Sequence, residues 1–196
     1  MTRGPVHCLL GLAAVVIAGL GGLSVLPAAD ATVSSSFRAV PASLQTAGHQ
    51  LGIPASTLLR LQVRWGLPRG LHEPRPGYVS GTYEHGHVFL RQTAHPVDVL
   101  AYEYLHDVMA RLAPAQRVRI TALLNAFDGD HHGALEPSFS ELIRADISNG
   151  VTGSAARLDE LHSIACSRTD DAHLSQDLRA YCTYVLPGRQ NTTKKY

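Results

Sequence analysis

The sequence predicts an α+β fold that is mainly helical and carries a small sheet or an edge strand. Two observations lead to this fold class. Several segments carry apolar residues at helical spacing, and the longest runs from Ala94 to Leu112. One segment, Thr82 to Arg91, instead alternates along its length and contains β-favouring residues. The length of 196 residues fits a single domain that follows an N-terminal leader.

Residues 1–31 are predicted to be a signal peptide or an N-terminal membrane anchor. Arg3 precedes an uncharged apolar run from Cys8 to Leu26, and Ala29-Asp30-Ala31 is a small-residue cleavage signal that would release a chain beginning at Thr32. The apolar run is longer than the usual signal-peptide core of about 7–15 residues, so a retained anchor stays open. The protein is therefore expected to be exported, either secreted or held at the cell envelope.

Residues 32–81 are predicted to form an N-terminal region of helices and loop. Pro41 and Pro54 each stand at a plausible first helical position, which predicts helices over 41–51 and 54–65. Residues 66–81 are rich in proline and glycine and are predicted to be a loop.

Residues 82–189 are predicted to be the main domain, which opens with a single strand over 82–91. Helices are then predicted over residues 94–112, 114–127, 138–148, 155–165 and 174–186. The segment Asp128 to Gly133 is predicted to be a turn between two of them. It resembles the opening of a calcium loop, but Phe139 stands at the position that needs a bidentate Glu, so no calcium site is expected.

The longest predicted helix carries a pattern with chemical meaning, Tyr102-Glu103-x-x-His106. In the motif H-E-x-x-H, positions i and i+4 share one helical face, so two imidazoles meet one zinc ion, and the Glu activates the metal-bound water. Here Glu103 and His106 are in place, whereas a tyrosine stands at the first ligand position. An unperturbed phenol has a pKa of about 10 and is a poor substitute for imidazole.

Three segments resemble a group of small exported bacterial proteins related to the gluzincin-type zinc peptidases. They are the strand residues 88–91, the helix residues 100–106, and the segment 159–164 followed by 178–181. The resemblance covers about residues 82–189. It implies a zincin-like domain in which an edge strand lies beside the active-site helix and pairs with an extended peptide.

The resemblance also implies a set of site residues. The first zinc ligand falls on Tyr102, the general base on Glu103, the second ligand on His106 and the third ligand on Glu160. Glu141 is a rival for the third position, and His85 and His87 are alternative metal ligands. Three further histidines lie near the proposed elements in sequence: His131, His132 and His162.

The cysteines predict one disulfide. Cys8 would leave with the leader, so Cys166 and Cys182 remain as an even pair in an oxidising compartment. Neither the net charge of +1 nor the scattered basic residues indicate nucleic-acid binding. Membrane contact is expected only through the N-terminal segment. The tail, residues 190–196, is predicted to be disordered.

These observations favour an exported zincin-like domain that has lost its catalytic zinc and acts as a binding or interaction module at the cell envelope. Zinc binding is expected to be weak or absent in the wild type, and a peptide or protein is the expected partner. The alternative is an active zinc metallopeptidase with Glu103 as general base and an atypical metal shell. A further alternative is a small secreted helical domain without any metal role.

Overall fold

The structure is a computed structural model that describes residues 39–71, 80–148 and 153–194. Within the helix Pro114–Ser148, the side chains of residues 132–138, 141–142 and 145–148 are outside this description. The described chain contains six α-helices and a three-stranded sheet, which confirms the predicted α+β class. In these residues no helix has the length and apolar character needed to cross a membrane. The predicted leader, residues 1–31, lies outside the described residues.

The helices are α1 (Ala42–Gln50), α2 (Ala55–Arg60), α3 (Pro96–Arg111), α4 (Pro114–Ser148), α5 (Gly153–Ser167) and α6 (Gln176–Val185). The strands are β1 (Arg64–Trp65), β2 (Gly81–Glu84) and β3 (His87–Leu90). Two short 3₁₀ turns cover Asp171–His173 and Arg189–Asn191.

Helix α3 is the centre of the fold. It packs against α1, against α5 and against strands β2 and β3. Residues around most of its circumference are therefore buried, including apolar Leu100 and Leu105. Glu103, His106 and Asp107 are buried polar residues on the same helix. Burying a polar group costs free energy unless it forms a hydrogen bond or an ion pair. The partners of these three side chains are therefore described below with the candidate site.

The predicted single strand over 82–91 is wrong in one respect, because the segment forms a hairpin. Strands β2 and β3 pair antiparallel, and Glu84 lies opposite His87 across a two-residue turn. Both turn residues, His85 and Gly86, have positive φ values of 50° and 81°. Positive φ at both central positions matches the right-handed twist of paired strands and closes the hairpin.

The predicted helix over 54–65 ends early. Helix α2 stops at Arg60, and Arg64–Trp65 form strand β1, which pairs parallel with β3. Between them Gln62 has a positive φ of 45°, which a helix does not allow. The buried residues Leu61 and Val63 alternate with exposed neighbours, which is the period of a strand.

The predicted turn over 128–133 is also wrong, because α4 continues through it as one helix of 35 residues. Contacts with α5 hold this part of α4. The guanidinium of Arg157 on α5 donates to Asp128, with 2.6 Å between Nη2 and Oδ2, and lies 4.8 Å from the ring centre of Phe139. These two contacts fall on either side of the glycine-containing segment and keep it helical.

Replacing Gly129 by alanine tests the continuous helix. A Cβ at this position meets no atom within 4 Å, so the substitution fits. In a helix interior we expect it to raise the free energy of unfolding by about 0.5–1 kcal/mol. Chemical denaturation of both proteins measures the difference. A loss of stability would instead support the turn that the sequence predicts.

The predicted disulfide between Cys166 and Cys182 is confirmed. It links α5 to α6, with 4.8 Å between the two Cα atoms. Both cysteines are completely buried. The bond therefore fixes the last helix against the helix that carries Glu160.

Residues 190–194 of the predicted disordered tail form hydrogen bonds with the domain, as part of a segment that we call the C-terminal strap (residues 187–194). The side-chain amide of Asn191 donates to the carbonyl of Gln50 at 2.6 Å. The backbone N–H of Thr193 donates to Asp98 at 2.8 Å. The strap therefore connects the end of α1 to the start of α3.

The strap also donates hydrogen bonds to carbonyl groups at and just after the C-terminal end of α5. The buried guanidinium of Arg189 donates to the carbonyl of Cys166 at 3.0 Å and to that of Thr169 at 2.9 Å. Its remaining charge pairs with Asp171. Because the last carbonyls of a helix have no partner within the helix, these donors stabilise the end of α5.

Candidate functional site

Tyr102 and His106 lie on one face of α3, as their spacing of four residues requires. Their ring centres are 5.3 Å apart and the rings meet edge to face. Glu160 reaches the same place from α5, where its carboxyl oxygen Oε2 accepts a hydrogen bond from the Tyr102 hydroxyl. All three side chains are buried. The structure therefore brings these three residues of the predicted zinc site together.

His106 is oriented by a neighbour of Glu160. Its Nδ1 lies 3.0 Å from Oδ2 of Asp159, and its Nε2 lies 3.9 Å from Oε1 of Glu160. A carboxylate beside Nδ1 favours the tautomer with the proton on that nitrogen, so the lone pair of Nε2 is directed toward Glu160. Histidines that ligate zinc are held by the same kind of carboxylate contact.

A positively charged group, Arg168, lies against this cluster. Its guanidinium lies over the Tyr102 ring, 4.1 Å from the ring centre. Burial raises the pKa of Glu160 to about 8, and the charge of Arg168 lowers it in part. The Glu160 carboxyl is thus held largely in its protonated form at neutral pH.

Glu103 is buried on the side of α3 that faces the sheet. A Cβ added to Gly81 in β2 would lie 2.9 Å from Oε1 of Glu103 and 2.7 Å from Cγ1 of Val99. Only glycine allows the strand to come this close to the helix. Glu103, the predicted general base, therefore lies against β2. It follows Tyr102 in the sequence and so projects from a different side of α3.

The alternative ligands whose side chains the structure describes contact groups other than Tyr102 and Glu160. His85 is exposed in the hairpin turn and lies 3.5 Å from Glu84. His87 contacts Phe89 with its ring edge. The Nε2 of His162 is 2.8 Å from the Tyr181 hydroxyl, and burial lowers the pKa of His162 to about 4. Glu141 and His132 belong to α4, but their side chains lie outside the described residues.

Asp159 and Arg168 are site residues that the sequence reasoning missed. A ligating histidine needs a second carboxylate or carbonyl at its other nitrogen, so Asp159, next to Glu160, could have been proposed for that role. No comparable sequence signal points to Arg168, because its stacking on Tyr102 depends on how α3 and α5 pack.

A second, partly buried network holds α3 in place beside the site. The guanidinium of Arg60 on α2 donates to both carboxyl oxygens of Asp107, at 3.0 Å and 2.6 Å. The Tyr83 hydroxyl on β2 donates to the same carboxylate at 3.3 Å. Burial first, and then the Asp107 charge, raise the pKa of Tyr83. This network fixes the rotation of α3 and thereby the direction of Tyr102 and His106.

The zinc implied by the resemblance can be compared with these residues. Catalytic zinc takes about three protein ligands and a water molecule. The described side chains of His, Cys, Asp and Glu include no group of three that could hold a metal, so Tyr102 would have to complete the site. Its hydroxyl donates a hydrogen bond to Glu160, which would itself be a ligand. In this arrangement the residues do not fit a catalytic zinc ion.

Comparison with known proteins assigns the chain to no family. No protein-family model matches the chain. None of the curated proteins and none of the solved structures is similar to it.

Proposed function

We propose that this protein is an exported zincin-like domain in which a hydrogen bond takes the place of zinc, and that it acts as a binding module at the cell envelope. The observation that carries the proposal is the buried hydrogen bond from Tyr102 to Glu160. It occupies the position at which a zinc enzyme of the resembling group would join its active-site helix to the downstream helix.

The surrounding contacts support this replacement. A metal ion would link α3 to α5 and would supply positive charge to the carboxylate. Here the Tyr102–Glu160 hydrogen bond links the helices, burial keeps the Glu160 carboxyl largely protonated, and the guanidinium of Arg168 lies over the Tyr102 ring. An intramolecular hydrogen bond between neutral groups contributes about 0.5–1.5 kcal/mol to stability, so this bond favours the contact between the two helices without metal.

The binding part of the proposal concerns β2. The strand order β1-β3-β2 places β2 at one edge of the sheet, and α3 lies beside it. An extended peptide that pairs with this edge would gain main-chain hydrogen bonds. The disulfide supports export, because such bonds persist in oxidising compartments. The partner is therefore proposed to be a peptide or protein of the cell exterior.

Zinc content measured on three proteins tests the proposal. We expect the wild type to purify with far less than one zinc per chain. Tyr102→His restores an imidazole at the position i−4 from His106 and rebuilds a His-His-Glu ligand set, so it should bind zinc near stoichiometrically. Tyr102→Phe removes the hydrogen bond without adding a ligand and should stay free of zinc.

Peptidase activity completes this test. If Tyr102→His gains activity on an unstructured peptide, adding Glu103→Gln should abolish it while zinc remains bound. A wild type that holds a full zinc ion through mild chelation would contradict the proposal. The active metallopeptidase with an atypical metal shell would then be the better explanation.

A further inference from the structure

Two histidines outside the Tyr102 site lie side by side on different elements. His131 belongs to α4, and His173 ends the 3₁₀ turn Asp171–His173. Their ring centres are 5.9 Å apart and the rings are nearly perpendicular, at 87°. The two positions are far apart in sequence, so the tertiary fold brings the pair together.

The ring of His131 is held in one orientation. Its Nδ1 lies 3.0 Å from the carbonyl oxygen of Phe127, one helical turn earlier. Because a carbonyl oxygen only accepts, Nδ1 carries the proton and Nε2 keeps its lone pair. The Phe127 ring also packs against the imidazole, with 4.6 Å between the ring centres. A backbone carbonyl at the second nitrogen is the usual support of a metal-binding histidine.

The other histidine is accessible and sits on a fixed turn. His173 is exposed. The carboxylate of Asp170 accepts a hydrogen bond from the backbone N–H of Ala172 at 2.9 Å, which holds the start of the turn. A metal ion arriving from solvent can therefore reach His173 without any rearrangement of the core.

We propose that His131 and His173 form a surface site for a divalent transition metal that prefers imidazole ligands, namely Cu²⁺, Ni²⁺ or Zn²⁺. Two imidazoles that bind one such ion at about 2.0–2.1 Å have ring centres roughly 5–6 Å apart, which is the observed range. The structure shows two protein ligands at this place, and we expect water to occupy the remaining coordination positions. This proposal shares no residue with the Tyr102 site.

Calorimetric titration with Cu²⁺ and Ni²⁺ tests the site, using chelator-treated protein purified without a histidine tag. We expect one saturable site in the wild type, and no binding of Mg²⁺. His173→Ala and His131→Gln should each weaken binding roughly tenfold or more, because each leaves a single imidazole. The double variant should lose the remaining single-imidazole binding as well, but its total loss in binding free energy should be smaller than the sum of the two single losses, because each single variant already loses the chelate effect.

Two control variants locate the binding. His49→Ala removes another exposed histidine and should leave binding unchanged. His106→Ala should also leave it unchanged, which separates this site from the Tyr102 site. Independent, additive losses from His131 and His173, a loss that follows His106, or no saturable binding would each overturn the proposal. Because His173 is exposed, its variant keeps the test valid even if His131→Gln folds poorly.

Discussion

Gly188→Ala should be the most destabilising single substitution in the C-terminal strap. A Cβ on Gly188 would overlap the carbonyl oxygen of Gln50 and would lie 2.5 Å from the Cα of Leu51. The backbone N–H of Gly188 also donates to the carbonyl of Leu51 at 3.0 Å, so the two segments cannot separate without losing that bond. We expect a loss of about 3 kcal/mol, the upper end of the usual cost of overpacking.

Thermal and chemical unfolding measure this loss, which corresponds to a fall in Tm of roughly 10 °C for a domain of this size. Asn191→Ala is the matched control, because it removes one strap hydrogen bond to Gln50 without a steric clash. That variant should lose only about 1 kcal/mol. A Gly188→Ala protein as stable as the wild type would mean that the strap does not rest on the end of α1.

Opening the disulfide between Cys166 and Cys182 should have an effect of similar size. The bond closes a loop with a sequence separation of 16 residues. In the chain-entropy description, releasing a loop of this length costs about 3 kcal/mol of stability, because the unfolded chain gains freedom. Unfolding of the wild type with and without reductant measures the change.

Two further measurements make this result specific. Before reduction, denatured protein that lacks the leader should show no reactive thiol. A double Cys166→Ala, Cys182→Ala variant should match the reduced wild type and should not respond to reductant. A wild type whose stability is the same with and without reductant would contradict the prediction.

Local sequence signals predicted most of the helices. Pro41 indicated α1, and helical spacing indicated α3, α5 and α6, with ends that differ from the structure by a few residues at most. Ser175 is a side-chain cap, since its hydroxyl accepts from the backbone N–H of Leu178 at 3.3 Å. These features depend on neighbouring residues, so the sequence contains the information they need.

The wrong predictions have a common origin in contacts between distant segments. Gly129 and its neighbours carry turn-forming residues, yet Arg157 and the packing against α5 keep them helical. The strap residues after Pro187 are polar and close to the chain end, yet they bond to α1, α3 and α5. The hairpin is the exception, because His85-Gly86 between two alternating runs is itself a local turn signal.

The sequence by itself determined that Tyr102 and His106 share one face of a helix, because the helical repeat fixes side chains four residues apart. It also determined the pairing of Cys166 and Cys182, because Cys8, the third cysteine, lies in the predicted leader. Only the tertiary structure decided what Tyr102 contacts. The hydrogen bond to Glu160, the approach of Asp159 to His106 and the stacking of Arg168 all depend on the relative position of α3 and α5. That position results from the packing of the whole core, which no short segment encodes.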